Sequence, residues 1–156
     1  FGRERRLVGY DDLMGAIAAD GIRIEPGDLL CLRTGFDRLL LGMGKKPDPH
    51  RVETSCAALD GTDERLLDWI GKSRIAALIA DNYAVEAFPA RAGSCAMLPL
   101  HQHCLFKLGL NLGELWLLSD LADWLRANNR SRFLLTAPPL RLPGAVGSPA
   151  TPVATV

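Results

Sequence analysis

Apolar and polar residues alternate along this chain in blocks whose period changes from helical to extended and back. Residues 10–19 read as a helix, with Leu13, Met14 and Ile17 on one side and Gly21 as its stop. Pro26-Gly27-Asp28 then makes a turn, and residues 29–33 form a short apolar strand ending at Thr34-Gly35. Residues 39–54, rich in Gly, Pro and basic side chains, read as a surface excursion with a helical start. Thr62 is placed to cap a helix over 63–72, with Asp63 and Glu64 in its first turn and Leu66, Leu67 and Ile70 facing inward. Residues 74–80 are almost uniformly apolar, the pattern of a strand buried on both faces.

The run from Leu98 to Glu114 carries the most chemistry. Leu100, Cys104, Leu105 and Leu108 recur at i, i+4, i+5 and i+8, a core-facing helical stripe that contains His101, and Gly109 closes the helix. On an α-helix two residues differ by about 200° of rotation, so His103 falls with Gln102 and Lys107 on the polar side. A strand from Leu110 then carries Glu114. Downstream, Ser119 caps a helix with Leu121, Trp124 and Leu125 in the core, and residues 132–136 and 140–142 read as the last strands. The tail after Gly144 reads as a crossing loop with a frayed end, and the chain shows neither repeats nor a second domain boundary.

Composition narrows the class. A length of 156 residues with 48% hydrophobic and 23% charged residues argues for one folded domain and against disorder. Eighteen basic and eighteen acidic residues cancel, so nothing favours nucleic acid or an anionic membrane surface. The apolar runs are too short to span a bilayer and no signal segment opens the chain, which makes a cytoplasmic location the expectation. Cys31, Cys56, Cys95 and Cys104 show no C-x-x-C pairing and lie in apolar contexts, which favours reduced, packed thiols. Cys104, one turn from His101, could line the same pocket.

An imidazole nitrogen and a carboxylate oxygen are standard ligands for zinc or manganese, and a cation with an open position activates water toward a carbonyl. On spacing alone, however, a single inward histidine such as His101 is more often a hydrogen-bonded core residue. Asp81 and Asn82 follow the 74–80 strand, where α/β sheets present functional loops, although an Asx turn explains them as well. Neither a G-x-S-x-G elbow nor an ordered acid and histidine accompanies Ser148, which argues against a serine-hydrolase triad.

Five segments occur in an order that resembles a known family: 24–36, from Ile24-Glu25-Pro26-Gly27-Asp28 to Arg33-Thr34-Gly35; 75–86, with Asp81-Asn82 and Glu86; 100–105; 113–116; and 138–149. Together they resemble the C-terminal half of the cyclase-family metal-dependent hydrolases, which include bacterial kynurenine formamidase and isatin hydrolase. The resemblance implies an α/β fold, a mixed β-sheet with surrounding helices in the swivelling β/β/α arrangement. It implies a divalent metal, zinc or manganese, with His101 and Glu114 as the two ligands from this half, and Asp81, Asn82, Glu86 and Arg33 at substrate or behind the ligands. It further implies hydrolysis of a small-molecule amide, formamide or cyclic amide, as in arylformamidases of tryptophan catabolism, with a homo-oligomer among the expected assemblies.

The family's first half carries a His-x-Gly-Thr-His-x-Asp type motif that supplies most of the ligands. That motif has no counterpart here, and the remaining histidine, His50, is followed by Arg51-Val52. The expectation is therefore a fragment holding the later half of a hydrolase, with an incomplete metal site. The alternative is a catalytically inactive interaction or assembly module with the same fold.

Overall fold

The computed structural model describes residues 4–156, which fall into two compact units, one ending at Ser119 and the other spanning Asp120–Val156. The first unit is α/β. Its strands are β1 (Arg6–Val8), β2 (Leu29–Leu32), β3 (Ala57–Leu59), β4 (Ala77–Ala80) and β5 (Asn111–Gly113). β1 pairs with β3, and β2, β4 and β5 form a sheet with β4 at its centre; every pairing is parallel. Parallel pairing requires crossovers, and the helices α1 (Tyr10–Ala19), α2 (Phe36–Gly42), α3 (Pro49–Thr54), α4 (Glu64–Ser73) and α5 (Pro99–His101) lie between the strands in sequence.

The core follows from the apolar blocks. β4 is buried along its whole length, as a strand covered on both faces must be, and Leu78 packs with Leu13, Leu59, Leu66, Ile70, Leu100 and Cys104. A smaller cluster of Phe36, Leu39 and Cys56, flanked by Val52 and Tyr83, gathers α2 and α3. Residues 39–54 form the expected surface excursion with a helical start: α2 opens it, and beyond Leu40 only Met43 and Val52 are half-buried. Phe36, Leu39 and Leu40 have the i, i+3, i+4 spacing of a helix face, and Asp48 caps α3 through the backbone N–H groups of His50 and Arg51.

Three boundaries differ from the sequence expectation for local physical reasons. The cap of α4 is Asp63, which accepts from the backbone N–H groups of Arg65 and Leu66 and from that of Tyr10, while Thr62 donates its hydroxyl to Asp60 instead. Arg74 adopts a left-handed conformation (φ 56°) that closes α4, so β4 starts only at Ala77. The third is the segment Gln102–Leu108, a π-helix that continues α5 and ends at Gly109 in the left-handed conformation (φ 65°). Bonding from i to i+5 takes more residues per turn, so the α-helical stripe fails: Leu100 and Cys104 are buried, but Leu105 and Leu108 are exposed.

The second unit contains α6 (Ser119–Ala127), whose first residue belongs to the first unit, and an antiparallel pair, β6 (Leu134–Thr136) with β7 (Val153–Thr155). Leu125 is buried, whereas Trp124 is exposed beneath the Arg130 guanidinium, 5.7 Å from the ring centroid. Residues 140–142 form no strand; β6 pairs instead with the tail that reads as frayed in the sequence. Among the described residues no helix is long and apolar enough to cross a membrane.

Candidate functional site

The candidate residues converge because the parallel strands end on one side. Glu86 comes from a segment that runs beside β3, with the Leu59 N–H donating to Val85 O (3.1 Å) and the Ala87 N–H to Leu59 O (2.8 Å). Its carboxylate is buried and accepts from two backbone donors, the Leu100 N–H on Oε2 (3.0 Å) and the His101 N–H on Oε1 (2.8 Å), and His101 Nδ1 also lies 2.8 Å from Oε1. Gly61, two residues past β3, makes room. A Cβ there would lie 2.1 Å from Glu86 Oε2 and 2.9 Å from Leu100 N, a space only glycine leaves open.

On the opposite edge of the imidazole, His101 Nε2 lies 2.9 Å from Glu114 Oε1. Glu114 follows β5 directly, and its backbone course is fixed by the Leu115 N–H donating to Asn82 O (2.9 Å) and the Trp116 N–H to Ala80 O (3.3 Å). The side chains grade outward, Glu86 fully buried, His101 22% exposed and Glu114 33% exposed, so the imidazole bridges an interior carboxylate and one that reaches solvent. The hydrogen bond to Glu114, followed by that to Glu86, pushes the His101 pKa up to about 9 against the opposing effect of burial.

His103 and Cys104 are placed differently from their sequence readings. His103 is half-buried rather than fully solvated: its Nε2 is buried with no hydrogen-bond partner among the described residues, and a Cβ on Gly71 of α4 would lie 4.0 Å from it. His103 still lies on the side of the helix away from His101, but that side meets α4 instead of open solvent, a tertiary contact that the local spacing does not show. Cys104 is fully buried and its thiol is pushed up to about 12, first by burial and then by the Glu86 charge, which opposes a thiolate. Cys95 is exposed rather than packed, and all four cysteines are free. His50 is exposed on α3.

Asp81 stands at the end of β4, but its carboxylate is occupied. Oδ1 accepts from the Thr34 N–H (2.8 Å) and Thr34 hydroxyl (2.6 Å), and Oδ2 from the Gly35 N–H (2.7 Å), tying β4 to the turn after β2. Asn82 donates from Nδ2 to Ala57 O (3.2 Å) and Val85 O (3.3 Å), and its buried Oδ1 has no partner among the described residues. Arg33 donates from Nε to Ser119 Oγ at 3.2 Å. Trp116 and Phe88 are half-buried.

Sequence reasoning passed over Asp37 and Asp60. Asp37 is buried and accepts from the Leu118 N–H (3.0 Å), the Ser119 N–H (2.7 Å) and the Ser119 hydroxyl (2.6 Å). Burial alone would raise its pKa, but these bonds together with that from the Arg38 N–H outweigh it and hold the carboxyl below its ordinary range. Asp60, buried beside Gly61, accepts from Thr62 and pairs with Arg91 at 2.7 Å. The available signal was Asp60-Gly61-Thr62 directly after an apolar strand, a turn pattern of the kind that ends strands near sites.

Two donors on one divalent cation, each about 2.0–2.2 Å from it, stand on the order of 3 Å apart. The 2.9 Å separation of His101 Nε2 and Glu114 Oε1 fits that requirement, and the carboxylate behind Nδ1 is the usual partner of a ligating imidazole. Glu86 adds no third ligand, since both its oxygens face N–H donors. Among the described residues no group of three or more His, Cys, Asp or Glu side chains is arranged to hold a metal.

Comparison with known proteins places the chain. It superposes on the crystal structure of a novel cyclase with a TM-score of 0.78 at 33% identity, over 98% of this chain and 47% of that one. It also superposes on isatin hydrolase A from Ralstonia solanacearum with a TM-score of 0.68 at 20% identity, over 97% of this chain and 54% of that one, a likeness of fold. The chain thus spans about half the length of these structures. No curated protein matches it. The family model of Cyclase matches residues 2–87, more than half of the chain, and the chain therefore belongs to the cyclase family.

Proposed function

We propose that this chain supplies two ligands, His101 and Glu114, to the divalent cation of a metal-dependent C–N hydrolase acting on a small amide, formamide or cyclic amide. The observation that carries the reading is the ordered row of Glu86, His101 and Glu114: a buried acceptor behind Nδ1, and Nε2 aimed at a carboxylate that reaches solvent. Membership of the cyclase family, and the likeness to a fold whose solved example is named an isatin hydrolase, support the same chemistry.

When bound, the cation supplies Lewis acidity toward a water and a carbonyl group. The chain's own residues do the rest. Glu114 brings negative charge to a position that solvent reaches, and His101 presents a nitrogen lone pair beside it. An imidazole and a carboxylate suit zinc and manganese equally, so both are candidates. The other nearby carboxylates, Glu86 and Asp81, are turned onto N–H and O–H donors, so only His101 and Glu114 are assigned as ligands among the described residues.

The test compares two histidines. In the protein carrying this sequence, supplied with Mn²⁺ or Zn²⁺, His101→Ala should abolish most hydrolysis of aryl formamides or cyclic amides, and His103→Ala should leave most of it. Full activity in His101→Ala, or equal loss in both variants, would sink the assignment. A second reading, an inactive cyclase-fold assembly module, draws on the lack of a three-ligand group among the described residues. It requires that neither cation perturb His101 at any concentration short of precipitation.

A further inference from the structure

We infer that Glu86 is a positioning residue: it fixes His101 as the Nδ1–H tautomer and so turns the Nε2 lone pair toward Glu114. The inference rests on the proposed cation only for the use made of Nε2. The tautomer itself is argued from the surroundings of the two carboxylates.

A neutral imidazole has one N–H and one lone pair, and the partner of each nitrogen decides which is which. Here both nitrogens face a carboxylate oxygen, at 2.8 Å and 2.9 Å, and distance does not separate them. Freedom to move does. Glu86 has no exposed side-chain surface, its Oε1 already accepts the His101 N–H, and its Oε2 accepts the Leu100 N–H, so it can neither turn away nor take up water. An Nδ1 lone pair held against that oxygen would set two acceptors face to face in the interior, an arrangement with a large desolvation cost and no compensation. Glu114 is one third exposed, and water or a cation relieves the same conflict at Nε2. The proton therefore sits on Nδ1.

The surroundings are shaped for this carboxylate. A backbone N–H meets each oxygen of Glu86, and Nδ1 lies beside Oε1, so the site takes a group with acceptors on both sides, and a glutamine of the same size must aim its NH₂ at one of the N–H groups. With the NH₂ toward Leu100, the backbone bond fails; with the NH₂ toward His101, the imidazole is driven to the Nε2–H form, whose proton blocks the ligand position. Gly61 completes the arrangement, since a Cβ at that position would overlap Glu86 Oε2.

The primary experiment needs no variant. Long-range ¹⁵N spectra of the cation-free wild-type imidazoles, recorded at a pH alkaline enough for His101 to be neutral, should show His101 as Nδ1–H; a dominant Nε2–H form overturns the inference. Zinc is then titrated into wild type and Glu86→Gln, with His101 shifts and the melting transition both followed. Glu86→Gln should weaken zinc binding by about 10- to 100-fold while remaining folded, and affinity within about twofold of wild type in a folded variant would overturn the positioning role. Should Glu86→Gln not fold, the wild-type tautomer decides. Zinc that leaves His101 unmoved in a protein showing the Nδ1–H form would instead remove His101 as a ligand, and with it the proposed function, while the tautomer assignment stands.

Discussion

Asp81, just past β4, and Glu86, in the segment beside β3, are both buried carboxylates with three hydrogen-bonding contacts each, yet only one of them borders a place where chemistry can happen. The donors around Asp81 are Thr34 and Gly35, and they lead back into the fold. One donor on Glu86 is an imidazole whose far nitrogen meets the partly exposed Glu114. Asp37, on the Leu118 and Ser119 N–H groups, behaves like Asp81. Burial and perturbation of an acid are thus shared by clamps and sites, and what separates them is whether the acid's partner has a second functional end.

The largest effect that tests this distinction is on stability at Asp81. Asp81→Ala strands the Thr34 N–H, the Thr34 hydroxyl and the Gly35 N–H in a buried place, and should cost on the order of 3–5 kcal/mol in urea unfolding. Zinc affinity at His101, measured where the variant is still folded, should be unchanged. If Asp81→Ala weakens zinc as much as Glu86→Gln does, the division between clamp and site collapses.

Next in size is Gly61→Ala. The new Cβ would lie 2.1 Å from Glu86 Oε2, so the carboxylate must move, at about 1–3 kcal/mol by the usual cost of overpacking. Gly15→Ala, in α1 with nothing within 4 Å of the new Cβ, is the control and should be neutral or stabilising by about 0.5–1 kcal/mol. Equal behaviour of the two glycines would mean that Gly61 does not guard Glu86.

How much of this could be read from the sequence divides along the same line. Elements set by local periodicity were legible: α1 has the expected span of Tyr10–Ala19, the buried β4 stood out as an apolar run, and the α/β class follows from their alternation. The π-helix was not, because the apolar spacing of Leu100, Cys104, Leu105 and Leu108 fits an α-helix, and only packing reveals that Leu105 and Leu108 are exposed. The pairing of β6 with β7 joins residues about twenty apart through Pro-rich chain, where short-range patterns carry no pairing information. Within the site, His101 and Glu114 were found by resemblance and helix phase, and the structure sets their side chains 2.9 Å apart. Gly61 escaped because its role is a clearance for Glu86, a long-range contact with no local signature.

Protonation gives a smaller, graded test. The folded His101 pKa of about 9 lies above the ordinary 6.5, so in cation-free protein the imidazolium's bonds to Glu114 and Glu86 stabilise the fold fully below about pH 6.5. That contribution is lost as pH rises through about 9. Urea midpoints of wild type should fall across this window, and His101→Gln should be flatter. Asp81→Ala should retain the wild-type slope at lower overall stability, whereas a slope lost in Asp81→Ala as well would show that the two acids are coupled.

The smallest effect is read by thiol chemistry, and it reports on whether the Glu86 pocket stays closed. Cys95 is exposed, whereas burial pushes Cys31 up to about 11, and burial with the Glu86 charge pushes Cys104 up to about 12. Reactivity follows thiolate fraction and access, so at pH 8 an aromatic disulfide reagent should show a fast phase from Cys95, a slower one from half-buried Cys31, and reaction of Cys56 and Cys104 only on unfolding. Cys95→Ser should remove the fast phase and leave the rest. Cys104 is the informative residue, since it lies on the π-helix three residues beyond His101 and close enough to Glu86 to feel its charge. Rapid modification of Cys104 in folded protein would mean that the π-helix opens, that water reaches Glu86, and that the carboxylate loses the rigidity by which it was distinguished from Glu114.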